Sequence, residues 1–520
     1  MTDEKQAAHL IVDDDFTVAD VDPRVFGTLV EHLGRCVYGG IYDPESEYAD
    51  EDGFRKDVLD LVRELGVTTV RYPGGNFVSG YRWEDGVGPR DQRPHRLDLA
   101  WHSTETNAVG LHEMENWLHK AGEKNAEGQG IGRPLEMMEA VNLGTRGLED
   151  ALNLVEYANI PGGTERSEQR RANGADEPFG IKLWCLGNEM DGPWQLGHSS
   201  AEEYASKVQQ VAAGMRQIDP SVELVVCGSS GHGMPEFSRW EGTVLDRAYN
   251  NVDFVSCHAY YHMVNDDLAS FLASGVDMDG FIADVSASID AAKARAKSNH
   301  QVNISFDEWN VWYMDSEPSK VPSGIDNWPV APHLLEDVYS TADAVVVGDL
   351  LITLLKHADR VRAASIAQLV NVIAPIMVPA QGKAYRQTSF FPFAQTAQAA
   401  QGATVLRPRL STSHVSTDKY GEVDALDTVA LRCSDGSLAV LAVNRNTEKS
   451  LDFTVSVPGA VQSASALTLH EDDWSLANTD EQPERVGLKE NSSVSVEAGE
   501  KSSEVSVSLP AVSWTILRVR

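Results

Sequence analysis

The sequence predicts an α/β protein: a (β/α)8 TIM barrel with an appended antiparallel β-sandwich. Three observations carry this. Between residues 21 and 377, eight short apolar runs alternate with amphipathic ones. Polar residues collect at the C-terminal ends of those runs. After residue 378 the pattern changes to the two-residue alternation of half-buried strands.

The eight runs cover residues 26–31, 67–73, 137–144, 181–189, 222–230, 252–261, 302–310 and 363–371. They show little alternation, as parallel strands buried on both faces do. Helical stripes lie between them. In 54–65, Phe54, Val58, Leu61, Val62 and Leu65 recur at the spacing of one helix face. A doubly wound open sheet is the alternative, but no Gly-rich nucleotide loop follows any run. Long segments (74–110, 262–280 and 311–338) follow the second, sixth and seventh runs and belong on the face where barrel active sites form. Polar inserts at 123–133 and 162–178 precede runs, so they are expected on the opposite face as surface or subunit contacts.

In the last part, segments 428–433 and 438–444 flank Ser434-Asp-Gly-Ser, a tight-turn sequence. Segments 493–497, 503–509 and 513–519 alternate like strands with one wet face. Strand-like pieces at 9–18 precede the barrel. The expected organisation is 1–20 joining the sandwich, 21–377 the catalytic barrel and 378–520 the sandwich.

Composition narrows the function. The 520 residues carry 43 Lys+Arg against 78 Asp+Glu, a formal charge of -35. That field repels phosphate backbones and anionic headgroups, so neither nucleic acid nor membrane is an expected partner. The start of the chain is polar and acidic without a signal-peptide pattern, and no stretch approaches the roughly 20 apolar residues of a membrane span. Five cysteines without paired spacing (Cys36, Cys185, Cys227, Cys257, Cys433) read as free thiols of a cytoplasmic protein. His102-Ser-Thr-Glu is not a zinc motif, no Cys/His cluster has ligand spacing, and Gly228-Ser-Ser-Gly-His lacks the nucleophile-elbow spacing. No metal and no cofactor are expected.

The polar residues at the strand ends are Glu31, Arg71, Asn76, Asn142, Asn188, Glu189, His258, Tyr260, Glu308 and Gln368. A scatter of surface residues would not favour one end of eight strands. Glu189 ends the fourth run in Trp184-Cys-Leu-Gly-Asn-Glu-Met, and Glu308 lies near the end of the seventh in Ile304-Ser-Phe-Asp-Glu-Trp-Asn. Strands four and seven face each other across a barrel mouth. Glycosidic cleavage needs a proton donor and a second carboxylate, and a buried glutamate is costly unless paired or functional. The pair points to a glycoside hydrolase.

Longer motifs sharpen this. Glu31-His-Leu-Gly-Arg-Cys-Val-Tyr-Gly-Gly-Ile-Tyr, Val70-Arg-Tyr-Pro-Gly-Gly-Asn-Phe, Leu97-Asp-Leu-Ala-Trp, Ala140-Val-Asn-Leu-Gly-Thr-Arg-Gly, Leu183-Trp-Cys-Leu-Gly-Asn-Glu-Met-Asp-Gly-Pro-Trp and Ser305-Phe-Asp-Glu-Trp-Asn-Val-Trp-Tyr closely resemble the α-L-arabinofuranosidases of glycoside hydrolase family 51. The resemblance implies a retaining, exo-acting enzyme on arabino-oligosaccharides, arabinoxylan or arabinan, with Glu189 as acid/base and Glu308 as nucleophile. It implies that Glu31, Arg71, Asn76 and Asn188 bind sugar hydroxyls, Asn188 at the 2-hydroxyl. His258 and Tyr260 would support the carboxylates, Gln368 would reach a hydroxyl near the exocyclic end, and Trp101 and Trp312 would wall the subsite. Trp194 and His198, on the loop after Glu189, are further candidates. The implied assembly is a homo-oligomer, a hexamer, and the two inserts are where this chain departs from the family. The alternatives are a β-xylosidase or endoglucanase on the same barrel, or a non-catalytic carbohydrate-binding protein. An open cleft would favour the former, but intact glutamates argue against the latter.

Overall fold

The computed structural model describes residues 6–499 and 501–520, so residues 1–5 of the expected N-terminal piece lie outside it. Eight parallel strands close into a barrel in chain order: Gly27–Leu29, Thr69–Tyr72, Glu136–Val141, Leu183–Leu186, Glu223–Val226, Phe254–Tyr261, Asn303–Val311 and Val361–Ala367. The last pairs with the first. Each falls on one of the eight apolar runs. Alternate residues from these strands (Met138, Ala140, Leu183, Cys185, Val225, Phe254 and Ala363) pack with Val78 as a small inner cluster. Their neighbours join the large core shared with the helices.

Several strands stop short of the apolar run that predicts them. The fourth ends at Leu186 because Gly187 (φ 89°) and Glu189 (φ 42°) turn left-handed, where a strand cannot continue. For glutamate that conformation is strained, and strain of this kind gathers at functional sites. The first helix, Lys56–Leu65, is stopped by left-handed Gly66. Phe54, expected inside the helix, is buried just ahead of it.

The eighth helix, Phe390–Ala400, packs against the first helix and against Thr341–Lys356. The barrel's outer layer therefore runs past residue 377, the boundary expected from sequence. Pro392 in its first turn and the alternating Gln and Ala of its second half mute the helical signal.

Beyond it two sheets enclose a second core. One orders Arg409–Thr412, Gln6–Ile11, Leu451–Pro458, Ser502–Leu509 and Ser495–Glu497. The other runs from Thr17–Asp20 through Thr404–Leu406, Leu426–Arg432, Leu438–Asn444, Ser513–Val519 and Ala464–Leu469 to Lys489–Glu490. The strand-like N-terminal pieces thus contribute to both sheets. Gln6–Ile11 runs parallel to Leu451–Pro458, a departure from a purely antiparallel sandwich. It comes from the far end of the chain, so no hairpin dictates its direction.

Of the two inserts, 162–178 holds the short helix Glu165–Ala172. Buried Arg170 anchors it by donating to the carbonyls of Tyr157, Ile160, Pro161, Ala175 and Asp176. The Arg166 guanidinium lies 5.9 Å from the Trp83 ring, so this insert also touches the long segment after the second strand.

Helix Thr341–Lys356 seats the sandwich on the barrel. A Cβ on Gly348 would fall 2.2 Å from the Trp514 ring, so only glycine lets that strand approach. Beside it, buried Asp349 accepts from Arg445 Nη2 at 2.8 and 3.0 Å, and Arg445 also reaches Asp427 at 2.8 Å. Lys356 Nζ binds Asp427 at 2.8 Å. Breaking such a pair from one side strands a buried charge. Arg445→Met should lower unfolding free energy by about 3–5 kcal/mol in denaturant titration; a loss below about 1 kcal/mol would match a solvated surface pair instead.

Candidate active site

The mouth of the barrel collects charge from facing strands. Arg71, fully buried on the second strand, donates through Nη1 to Glu308 Oε1 at 2.6 Å and through Nη2 to Asn188 Oδ1 at 2.7 Å. Tyr260, from the sixth strand, donates its hydroxyl to Glu308 Oε2 at 2.7 Å. Both oxygens of Glu308 are therefore held by hydrogen-bond donors.

Glu189 is placed by different partners. His258 Nδ1 lies 2.8 Å from its Oε1, and the indole N–H of Trp194 reaches Oε2 at 2.5 Å. His258 Nε2 lies 3.0 Å from Asp307 Oδ1. Burial alone would lower the His258 pKa, but the charge of Glu308 and the bonds to Asp307 and Glu189 raise it to about 10. Burial would raise Asp307, yet Arg71, His258 and Ser256 hold its carboxyl below the ordinary range. The ring is then an imidazolium clamped between Glu189 and Asp307.

A carboxylate oxygen of Glu189, one of Glu308 and a nitrogen of His258 lie within 4.8 Å of one another. Among the described residues these three form the group close enough to hold a metal. An imidazolium offers no lone pair for one, however, and its two N–H groups are engaged by Glu189 Oε1 and Asp307 Oδ1. The short separation is that of a retaining carboxylate pair, since an inverting pair stands roughly 6.5–9.5 Å apart to admit water.

The remaining expected residues assemble around this pair. Glu31 Oε1 accepts from the Phe77 amide and the Trp101 indole, both at 2.9 Å, and Oε2 accepts from Gln368 at 3.2 Å. Burial pushes the Glu31 carboxyl up to about 8 against these two Oε1 donors, with the charge of Glu308 adding to the rise. Asn76 Oδ1 accepts from Asn188 Nδ2 at 3.1 Å. Trp312 packs edge-on against Tyr260, ring centres 5.1 Å apart, and its indole N–H turns away to Ser319. Asn142 is not part of the group: it bonds the Tyr81 carbonyl and Thr145. His198 is exposed and bonds the Gln195 carbonyl.

Two buried residues were missed. Asp307 looked like an ordinary strand residue beside Glu308, although a charge in an apolar run was the available signal. Gln195 ties Asn188 to Ser79 through its side-chain amide and had no signal at all.

Two glycines leave the space above the carboxylates. Gly74 (φ 118°) would drive a Cβ to 2.4 Å from Glu31 Cβ. At Gly75 a Cβ would come within 3.1 Å of both Glu308 Oε1 and Glu31 Oε2.

A closed parallel barrel with two glutamates this close at the C-terminal ends of facing strands defines a retaining glycoside hydrolase. Comparison with known proteins narrows the class. The model of the α-L-arabinofuranosidase 1 domain matches residues 61–272, and that of the α-L-arabinofuranosidase C-terminal domain matches 307–513. An exo-α-(1→6)-L-arabinofuranosidase of Bifidobacterium longum is 63% identical, covering 99% of this chain and 98% of its own. An intracellular exo-α-(1→5)-L-arabinofuranosidase of Streptomyces lividans is 52% identical over 99% of this chain and 75% of its own. A solved family 51 α-L-arabinofuranosidase from Bifidobacterium longum superposes with TM-score 0.90 at 49% identity, covering 100% of both chains. The chain belongs to glycoside hydrolase family 51, among its α-L-arabinofuranosidases.

Two outcomes test this geometry. Gly75→Ala should cut kcat/KM about a hundredfold in steady-state kinetics of the folded fraction, the scale of a 1 Å misplacement, and an unchanged kcat/KM would mean that the space above the carboxylates is not used. The second concerns Glu31, whose folded carboxyl holds a proton between about pH 4.5 and about 8 that the unfolded chain releases. Folding stability is then lost as pH rises through that window. In thermal melts, Glu31→Gln should gain on wild type from pH 5 to pH 8; a constant difference would mean Glu31 is ionised throughout.

Proposed function

We propose that this chain removes terminal non-reducing α-L-arabinofuranosyl residues from arabino-oligosaccharides, arabinoxylan or arabinan by double displacement. The observation that carries the reading is the pair of carboxylates within 4.8 Å, each held by a different set of donors. Glu308, oriented by Arg71 and Tyr260, attacks the anomeric carbon. Glu189 gives its proton to the departing glycosidic oxygen. A covalent glycosyl-enzyme forms on Glu308. Glu189, now a carboxylate, takes a proton from water, whose oxygen displaces Glu308 with net retention.

Glu31, Asn76, Asn188 and Gln368 surround the space over the carboxylates with donors and acceptors for furanose hydroxyls. Trp101 closes one side with its indole pinned to Glu31, and Trp312 backs Tyr260. The relatives quoted above are named for (1→6) and (1→5) linkages, and a terminal α-L-arabinofuranosyl unit is common to both. We also infer action inside the cell on imported oligosaccharides, which fits the intracellular names of relatives and the lack, among described residues, of a helix long and apolar enough to cross a membrane. Self-association into a homo-oligomer, by family resemblance a hexamer, would draw on exposed Leu97, Leu99 and Ile325. Light scattering tests it.

The two glutamates can be told apart chemically. Glu189→Ala should cripple arabinobiose cleavage yet still form the glycosyl-enzyme from an activated aryl arabinofuranoside, whose aryl oxide departs unaided. Azide should then restore turnover and give a glycosyl azide of retained configuration. Glu308→Ala with azide should give the opposite anomer. Swapped products would reverse the two roles, and undiminished rates in both variants would place the chemistry elsewhere.

A further inference from the structure

One cavity on the catalytic face takes no part in the chemistry described so far. It has a volume of about 500 Å³ and opens where the sixth strand ends, at Tyr260 and Tyr261. Tyr260 also bonds Glu308, so the cavity adjoins the nucleophile through a single side chain. Small-molecule sites span roughly 300–1,000 Å³, and this one is large enough to hold a sugar.

Its two walls come from different domains. On the barrel side, the segment after the sixth strand turns back on itself. Asn265 (φ 53°) and Asp266 (φ 58°) are both left-handed there, and the Asp267 N–H bonds the Val264 carbonyl at 3.0 Å. Asn and Asp are the residue types that tolerate this backbone. On the sandwich side stands the tip of the hairpin formed by His414–Thr417 and Gly421–Asp424, with Asp418, Lys419 and Tyr420. The Lys419 N–H bonds Ser270 Oγ on the short helix Leu268–Leu272 at 3.0 Å, and the Tyr420 N–H bonds Thr417 Oγ1 at 3.0 Å. Backbone bonds thus fix both walls.

The side chains between the walls are free to meet a ligand. Among the described residues, His262, Asn265 and Asp418 find no side-chain hydrogen bond within the protein. They offer an imidazole, an amide and a carboxylate beside the Tyr420 ring. A few placed polar groups next to an aromatic wall suit a neutral sugar. The ammonium of Lys419 stands against the carboxylates of Asp267 and Asp418, and the formal charge of -35 repels an anion.

We propose that this cavity is a second carbohydrate-binding site, which holds a neutral sugar unit of the oligosaccharide at a distance from the bond being cleaved. The sandwich hairpin then takes a direct part in binding substrate. This rests on the chain acting on arabino-oligosaccharides, as proposed above.

Substrate length tests it. With linear α-(1→5)-arabino-oligosaccharides, wild-type kcat/KM should rise from arabinobiose to arabinopentaose as added units reach the cavity. Tyr420→Ala and Asn265→Gly should each lower kcat/KM for arabinopentaose about three- to tenfold, the scale of one aromatic contact or hydrogen bond. Both should leave hydrolysis of an aryl arabinofuranoside unchanged. A wild-type kcat/KM that does not rise with length would overturn the proposal. So would variants that keep the wild-type rise, or that lose as much on the aryl glycoside as on the pentaose. If Tyr420→Ala loosens the hairpin, Asn265→Gly decides, since glycine adopts the same left-handed backbone; full kcat/KM on arabinopentaose there overturns the site. The aryl arabinofuranoside keeps the two readings apart, because a wild type that fails to cleave it refutes the enzyme reading itself.

Discussion

Arg71 carries a full positive charge with essentially no water around it, and a buried guanidinium survives only if its donors find acceptors. It finds them on two other strands: Glu308 on the seventh and Asn188 just past the fourth. That one side chain spans the barrel mouth and ties Glu308 to Asn188. His258 is a second buried cation, and Asp307 balances it from below. The result is a lattice of charges in which each carboxylate has an assigned partner. Moving any one would leave another uncompensated. Rigidity of this kind is what catalysis by electrostatic preorganisation requires.

The rest of the molecule keeps that lattice dry and fixed. The long segment after the second strand brings Trp101 over Glu31, and its hairpin tip is pinned to the segment after the seventh strand by the Thr104–Pro329 bond at 3.0 Å and by His102 stacked 3.6 Å from Trp328. The sandwich sits against helix Thr341–Lys356, where the buried cluster of Asp349, Arg445, Asp427 and Lys356 joins it to the barrel. The hairpin of His414–Thr417 and Gly421–Asp424 reaches the segment after the sixth strand, Lys419 N–H bonding Ser270 Oγ at 3.0 Å.

Much of this was legible in the sequence because parallel strands buried on both faces leave unbroken apolar runs. A polar residue at the end of such a run has few reasons to be there except the site, which is why Glu31, Arg71, Asn188, Glu189, His258, Tyr260, Glu308 and Gln368 all appear around one space. The same logic admitted Asn142, which instead holds a loop. It passed over Asp307, because charge balance is a property of the assembled site and not of any one strand. The eighth helix was hidden for a local reason, since proline and glutamine blur an amphipathic stripe.

The sequence by itself determined the strand count and the family, and it singled out the two glutamates, since periodicity and motif spacing survive without coordinates. Only the tertiary structure decided how the charges are shared. Which oxygen of Glu189 faces His258 and which faces Trp194 depends on a left-handed turn at Glu189 and on a glycine beneath an indole ring. Those are distances between residues brought together by the closing of the barrel, and no one-dimensional pattern encodes the approach of side chains from opposite strands to within 4.8 Å.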